Sequence, residues 1–299
     1  MPFTLDDIAN DAGTFAILAM DQRGTLRKML EQAGQPSADH DLSGFKIDVI
    51  SALSPYASAV LTDVEHGVAA VRDSGALAPD VGLLISSERS PQPTWNGEQR
   101  TEFSPDRGPQ WVAANGGVAL KFLTRWRPDR PAGEGEPDLA EEAIDAVAAV
   151  VEACRAFGMP AVIEPLVTKV PGEQLSPEQQ HELVIRSAEL LADLGPDLLK
   201  LEWPGDAEGC DRLTKVCGNV PWALLSAGVG YEQFVGRVVM AMDAGATGFI
   251  AGRAIWGEAA ELTGETRRDF LRTTAVERMQ GLVATIAGHG PSWREVAGR

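Results

Sequence analysis

A lysine and a glutamate stand two residues apart in an apolar run, Asp197-Leu198-Leu199-Lys200-Leu201-Glu202-Trp203-Pro204. In an extended chain this spacing sets Lys200 and Glu202 on one face and Leu199, Leu201 and Trp203 on the other. An ammonium among leucines is costly unless it is paired or gives up its proton. A neutral lysine amine is a nucleophile for carbonyls, the opening step of Schiff-base chemistry. Lys200 is therefore either half of a buried pair with Glu202 or a reactive amine. Charged residues also sit at the ends of other apolar runs: Asp21-Gln22-Arg23, Asp63-Val64-Glu65, Lys121 followed by Arg125 and Arg127, and Glu164 before Pro165. A structural pair needs one partner. Two amines (Lys121, Lys200) with three carboxylates (Asp21, Glu164, Glu202) exceed that need. They suit imine chemistry at a ketone. Lys121 would lower the pKa of Lys200 by its charge, and Glu164 would shuttle protons for the carbinolamine and for carbon–carbon cleavage.

Such a mechanism needs no metal and no cofactor, because the protonated imine is the electron sink. The four histidines, His40, His66, His181 and His289, show no paired spacing of the kind a metal centre uses. Only His66, after the second apolar run, would fall near the site. Cys154, Cys210 and Cys217 form no CxxC pair and read as reduced packing residues, the last two on one helix.

These groups can meet only if the runs that carry them converge. Eight strand-like runs cover Thr14–Met20, Ser58–Thr62, Val81–Ser86, Val118–Thr124, Pro160–Val167, Asp197–Trp203, Pro221–Ala227 and Thr247–Ala251. Helical patterns separate them: Leu139–Phe157, a Ser176-capped run to Leu194, Tyr231–Ala244 and Glu265–Ile286. Gly158, Gly195 and Gly245 fall where left-handed caps are expected. Strict β-α alternation in a chain of 299 residues predicts an α/β fold, a single (β/α)8 TIM barrel occupying residues 1–299. An open dinucleotide sheet is disfavoured, since Gly228-Val229-Gly230 lacks the third glycine of that turn. In a barrel the strand carboxyl ends carry the active residues. The irregular stretch Glu88–Arg107 and the loop Arg127–Pro137 would lie on that face.

The loops after strands seven and eight read Ser226-Ala227-Gly228-Val229 and Ala251-Gly252-Arg253-Ala254. Glycines let backbone amides approach an oxyanion and arginine binds one bidentately, so an anionic, phosphate-bearing small molecule is the expected ligand. A net charge of −17 argues against nucleic acid and against an anionic membrane surface. No apolar stretch reaches membrane-spanning length, and Met1–Asn10 carries acids rather than a secretory signal, so a cytoplasmic location is expected.

Five segments carry a resemblance: Phe15-Ala16-Ile17-Leu18-Ala19-Met20-Asp21-Gln22-Arg23, Ser54-Pro55-Tyr56-Ala57-Ser58-Ala59-Val60-Leu61, Ile163-Glu164-Pro165, Leu199-Lys200-Leu201-Glu202 and Gly248-Phe249-Ile250-Ala251-Gly252-Arg253-Ala254-Ile255-Trp256. In order and spacing they resemble the tagatose-1,6-bisphosphate aldolase family, which includes the sulfofructosephosphate aldolases. The resemblance implies a class I aldolase that splits a ketose 1-phosphate reversibly into dihydroxyacetone phosphate and a three-carbon aldehyde. It implies Lys200 as the Schiff-base lysine and Glu164 as the acid/base, with Asp21 and Lys121 completing the catalytic set. Gln22, Ser226, Gly228, Arg253 and Arg127 would hold the substrate. Asp63-Val64-Glu65-His66-Gly67 and Ser226-Ala227-Gly228-Val229 look like the tagatose branch, and Trp126-Arg127-Pro128-Asp129 like the sulfosugar branch. A sugar-phosphate epimerase or isomerase using carboxylates alone, and a non-catalytic sugar-phosphate sensor, are the competing readings. Barrels of this kind are often dimers or larger. A homo-oligomer is expected, although no sequence stripe marks its interface.

Overall fold

Each apolar run becomes one stave of a closed parallel barrel in the computed structural model, which describes residues 2–299. The staves are β1 (Phe15–Met20), β2 (Ala59–Thr62), β3 (Gly82–Ser86), β4 (Ala119–Trp126), β5 (Ala161–Val167), β6 (Leu198–Leu201), β7 (Trp222–Leu225) and β8 (Gly248–Ala251). Neighbours in sequence are neighbours in the sheet, and β8 closes onto β1 from Phe15↔Gly248 to Leu18↔Ala251. The expected (β/α)8 barrel is the observed fold.

Both faces of every strand are buried, so the runs are apolar throughout rather than alternating. Two cores result. Ile17, Ala19, Leu61, Leu84, Ala119, Val162, Leu198, Ala223 and Ile250 pack inside the barrel. Leu18, Met20, Ile85, Leu120, Phe122, Ile163, Leu199, Leu201 and Trp222 pack outward against the helices. The pleat then decides what stands above the interior layer. Two residues beyond Ala19, Leu61, Ala119, Val162 and Leu198 come Asp21, Asp63, Lys121, Glu164 and Lys200. Period two therefore lifts the charged residues onto one floor at the carboxyl end. The opposite end is closed by Leu5, Ile8 and Trp293, whose indole donates to Asp6 Oδ1 at 3.0 Å.

The helix Leu139–Phe157 starts on Asp138, which accepts from the amides of Ala140 and Glu141, and stops at the left-handed Gly158. Ser176 is the expected N-cap of Pro177–Ala192, and Gln179 completes a capping box with it. The stretch expected as one helix from Glu265 to Ile286 is interrupted: a π-turn at Leu271–Ala275 separates Gly264–Phe270 from Val276–Ile286. Leu271 and Ala275 at the two ends of this turn are both buried in the core. Glu88–Arg107 is not wholly irregular. Thr94–Trp95 and Glu98–Gln99 form a hairpin about Asn96-Gly97, both at positive φ. Arg130 of the next loop pairs with Glu98 at 2.8 Å and lies over the Trp95 ring at 5.3 Å, so the two long loops brace each other. No helix among the described residues is long and apolar enough to cross a membrane.

Candidate active site

Lys121, wholly buried, stands at the centre of the charged floor. Its Nζ lies 2.9 Å from Asp21 Oδ2, 2.8 Å from Glu164 Oε2 and 3.3 Å from Glu88 Oε1. Burial opposes its charge, but Asp21, Glu164 and Glu88 overcome that cost and hold the ammonium well above its ordinary pKa. Burial likewise opposes ionisation of Asp21 and Glu164, yet Lys121 and Lys200 keep both carboxyls below the usual range. Lys121 is thus a fixed cation.

Lys200 approaches the same Glu164 oxygen from the other side, at 2.9 Å. It has that one carboxylate, shared with Lys121, where Lys121 has three. Two expectations are corrected here. The buried pair with Glu202 does not form, because Glu202 Oε2 instead accepts the Val167 backbone N–H at 2.9 Å. The charge of Lys121 does not bear on Lys200 unopposed either, since three carboxylates surround it. Burial pushes the Glu202 carboxyl up to about 7.

Lys200 opens onto a cavity in two lobes. One, of about 340 Å³, is lined by Glu202, Ser226, Ala227, Gly252 and Arg253. The other, of about 510 Å³, is lined by Asp21, Glu88, Gln92 and Gln99. Glu164, Lys200, Gln22, Arg125 and Arg253 border both. Gln22 donates to Asp21 Oδ1 at 3.3 Å, and its buried Oε1 has no partner among the described residues, leaving an acceptor for a hydroxyl. The Glu88–Arg107 segment does reach the site, through residues 88–92 and Gln99. Another cavity, of about 460 Å³, lies at the opposite end, against Met159, Asp197 and Trp293, and meets neither lysine.

Arg253 follows β8 and packs flat on Gly228. A Cβ there would come within 2.9 Å of the guanidinium carbon, and φ at Gly228 is +82°, so glycine is required twice over. Arg253 donates to Ala227 O at 3.2 Å and makes no salt bridge among the described residues, nor does Arg125 near the end of β4. Burial without a facing carboxylate draws the Arg253 guanidinium below its ordinary pKa. Arg127, expected at the substrate, is elsewhere. It lies beyond the end of β4 and is captured by Asp129 and Glu173. Arg125 occupies the position that Arg127 was expected to fill. His66 also stays out of the cavity, its backbone N–H capping Asp63 at 2.8 Å.

Two residues behind the floor, Lys46 and Glu88, carried no signal in the sequence. Lys46, on the helix Asp39–Leu53, is wholly buried, pairs with Asp63 at 2.5 Å and donates to Gln22 O at 2.9 Å. It fixes the end of β1 where Asp21 and Gln22 turn inward. Glu88 accepts from Arg23 at 2.6 Å and from the Leu123 amide at 3.1 Å. Arg23 also reaches Glu65 at 2.9 Å, and Glu65 holds Arg107 at 3.1 Å.

A parallel barrel with two lysines on one carboxylate at its catalytic end has the architecture of lyases that work through an imine. Residues 15–258 match the model of the DeoC/LacD family aldolases, and the chain belongs to that family. It is a class I aldolase, an aldehyde-lyase. The tagatose 1,6-diphosphate aldolase of Listeria monocytogenes is 31% identical over 97% of this chain and 92% of its own. Tagatose 1,6-diphosphate aldolase 2 of Streptococcus agalactiae is 27% identical over 97% and 96%. Among solved structures, an archaeal fructose 1,6-bisphosphate aldolase superposes with a TM-score of 0.64 over 95% of this chain and all of the other, at 19% identity. The fructose-bisphosphate aldolase of Plasmodium falciparum gives 0.69 over 96% and 94%, at 13%. At those identities the structural likeness speaks for the fold.

Proposed function

We propose that Lys200 forms the Schiff base with C2 of a ketose 1-phosphate and that Glu164 takes the proton of the C4 hydroxyl as the C3–C4 bond breaks. The carrying observation is the sharing of Glu164 Oε2 by Lys121 and Lys200. Lys121 is locked as a cation by three carboxylates, so Lys200, which lines the cavity, is the amine placed to attack. Glu164, ionised and within reach of the bound lysine, is placed to act as base. When the bond breaks, its electron pair flows into the iminium to give an enamine, and the C4 carbon leaves as an aldehyde. Asp21 and Gln22 line the path of the substrate hydroxyls, with Lys121 buried beneath them.

The substrate on this reading is anionic at both ends. Arg125 stands near the end of β4 and Arg253 follows β8, which are opposite staves of an eight-stranded barrel, with Lys200 on β6 between them. A ketose lying across the mouth would set its 1-phosphate at Arg253, Ser226 and the Gly228 turn and its far anion at Arg125. Tagatose or fructose 1,6-bisphosphate and 6-deoxy-6-sulfofructose 1-phosphate all have that form. The names of the curated relatives favour the bisphosphates.

The test is reductive trapping. Borohydride with dihydroxyacetone phosphate should inactivate the protein and place a single adduct on Lys200, and Lys200→Met should abolish both. Retention of activity after trapping, or an adduct on Lys121, would overturn the assignment. A kcat/KM comparison across the three ketoses then identifies the substrate.

A further inference from the structure

We propose that Glu202 is the proton donor that releases the carbinolamine hydroxyl as water, a role separate from that of Glu164. The inference rests on the Schiff-base reading of Lys200 and adds a second proton-handling group to it.

Two different proton tasks arise in one turnover. Collapse of the carbinolamine needs an acid: the C2–O bond breaks, the hydroxyl leaves with a proton as water, and the nitrogen lone pair makes the iminium. Cleavage needs a base for the C4 hydroxyl. Glu164 is fitted to the second task only, because two ammonium groups, at 2.8 and 2.9 Å, hold it ionised. Environments that separate two carboxyl groups in this way separate acid from base.

Glu202 stands two residues beyond Lys200, just past the end of β6, and lines the same lobe of the cavity. One oxygen is fixed by the Val167 N–H at 2.9 Å, which orients the group. It forms no salt bridge among the described residues, unlike Asp21, Glu88 and Glu164. The groups around it are Lys200 on β6, Glu164 on β5, Arg125 on β4, and Ser226 and Arg253 across the lobe. Of these, Glu164 works against its ionisation and Arg125 for it, and burial outweighs both, so the group is protonated up to about pH 7. After donating, Glu202 is a carboxylate. In imine hydrolysis it takes back a proton from the water that attacks C2, and the cycle closes without a further reactant.

Glu202→Gln keeps an acceptor for the Val167 N–H but cannot give up a proton. The rate of borohydride trapping with dihydroxyacetone phosphate should fall at least ~10-fold. KM should change little, and the decline of the wild-type trapping rate above about pH 7 should disappear. Glu202→Asp should keep that decline at a reduced rate. It serves in place of the glutamine variant if circular dichroism shows the latter unfolded. A glutamine variant that traps at the wild-type rate with the wild-type pH profile refutes the proposal. So does a wild-type trapping rate that does not fall through neutrality. Failure of the underlying reading looks different: no adduct forms on Lys200 in the wild-type protein at any pH.

Discussion

Lys121→Met tests whether the charged floor is held together as the distances indicate. The substitution keeps most of the side-chain volume and removes one wholly buried positive charge. Glu88 retains Arg23 at 2.6 Å and the Leu123 amide, and Glu164 retains Lys200 at 2.9 Å. Asp21 loses its only ion-pair partner among the described residues, left with a 3.3 Å contact from Gln22. One buried carboxylate is therefore uncompensated, and breaking a buried pair from one side costs about 3–5 kcal/mol. The cost should depend on pH. In the wild type the Asp21 and Glu164 carboxyls are depressed, so their stabilisation is present at neutral pH and is lost only as pH falls through their low folded values. In the variant an orphaned carboxyl is raised above its unfolded value, and stability drains away as pH rises past about 4. Urea titrations at pH 5 and pH 8 should show a larger deficit at pH 8. Adding Asp21→Asn should recover much of it, since the orphaned charge is then gone. Equal stability of variant and wild type at pH 8, or no recovery in the double variant, refutes this account of the floor.

Lys46→Met should cost a comparable ~3–5 kcal/mol in urea melts by stranding Asp63, and should weaken trapping as the end of β1 loosens around Asp21. Arg125→Gln should raise KM for a 1,6-bisphosphate by ~10- to 100-fold while leaving that of a plain ketose 1-phosphate within about twofold, whereas Arg253→Gln should raise both. Arg127→Gln should leave steady-state kinetics unchanged, because its partners are Asp129 and Glu173 rather than substrate.

The barrel was legible because parallel strands buried on both faces produce unbroken apolar runs, and each of the eight runs became a strand. Lys121, Glu164 and Lys200 were legible for the same reason: a charge inside such a run has no solvent to explain it. Lys46 was not, because a lysine on a helix reads as a surface residue. Only the fold shows that this face of Asp39–Leu53 lies against the ends of β1 and β2. Glu88 stands 33 residues from Lys121 and 65 from Arg23, and neither separation leaves a local pattern. Arg127 misled for the opposite reason. Its parity matches Lys121 and Arg125, but parity holds only while the strand lasts, and β4 ends at Trp126.

The arithmetic of the floor bears on why Lys200 is surrounded as it is. Five carboxylates, Asp21, Asp63, Glu65, Glu88 and Glu164, face five cations, Arg23, Lys46, Arg107, Lys121 and Lys200. The set is neutral when Lys200 bears a positive charge and one unit negative when it does not. An environment designed only to make a free amine would be the reverse. On the Schiff-base reading, the charge that counts is the later one, because the iminium places a full positive charge on the same nitrogen just before the carbon–carbon bond breaks. Fixed carboxylates already aimed at that point stabilise the iminium without reorganising. The neutral amine is needed only for the attack on the carbonyl. A neutral Glu202 fits this arrangement as donor, since it adds no charge to the floor until it gives its proton away. The lysine pair is then understood by division of labour: Lys121 holds the carboxylates in position permanently, and Lys200 exchanges one positive charge for another at a site built to receive it.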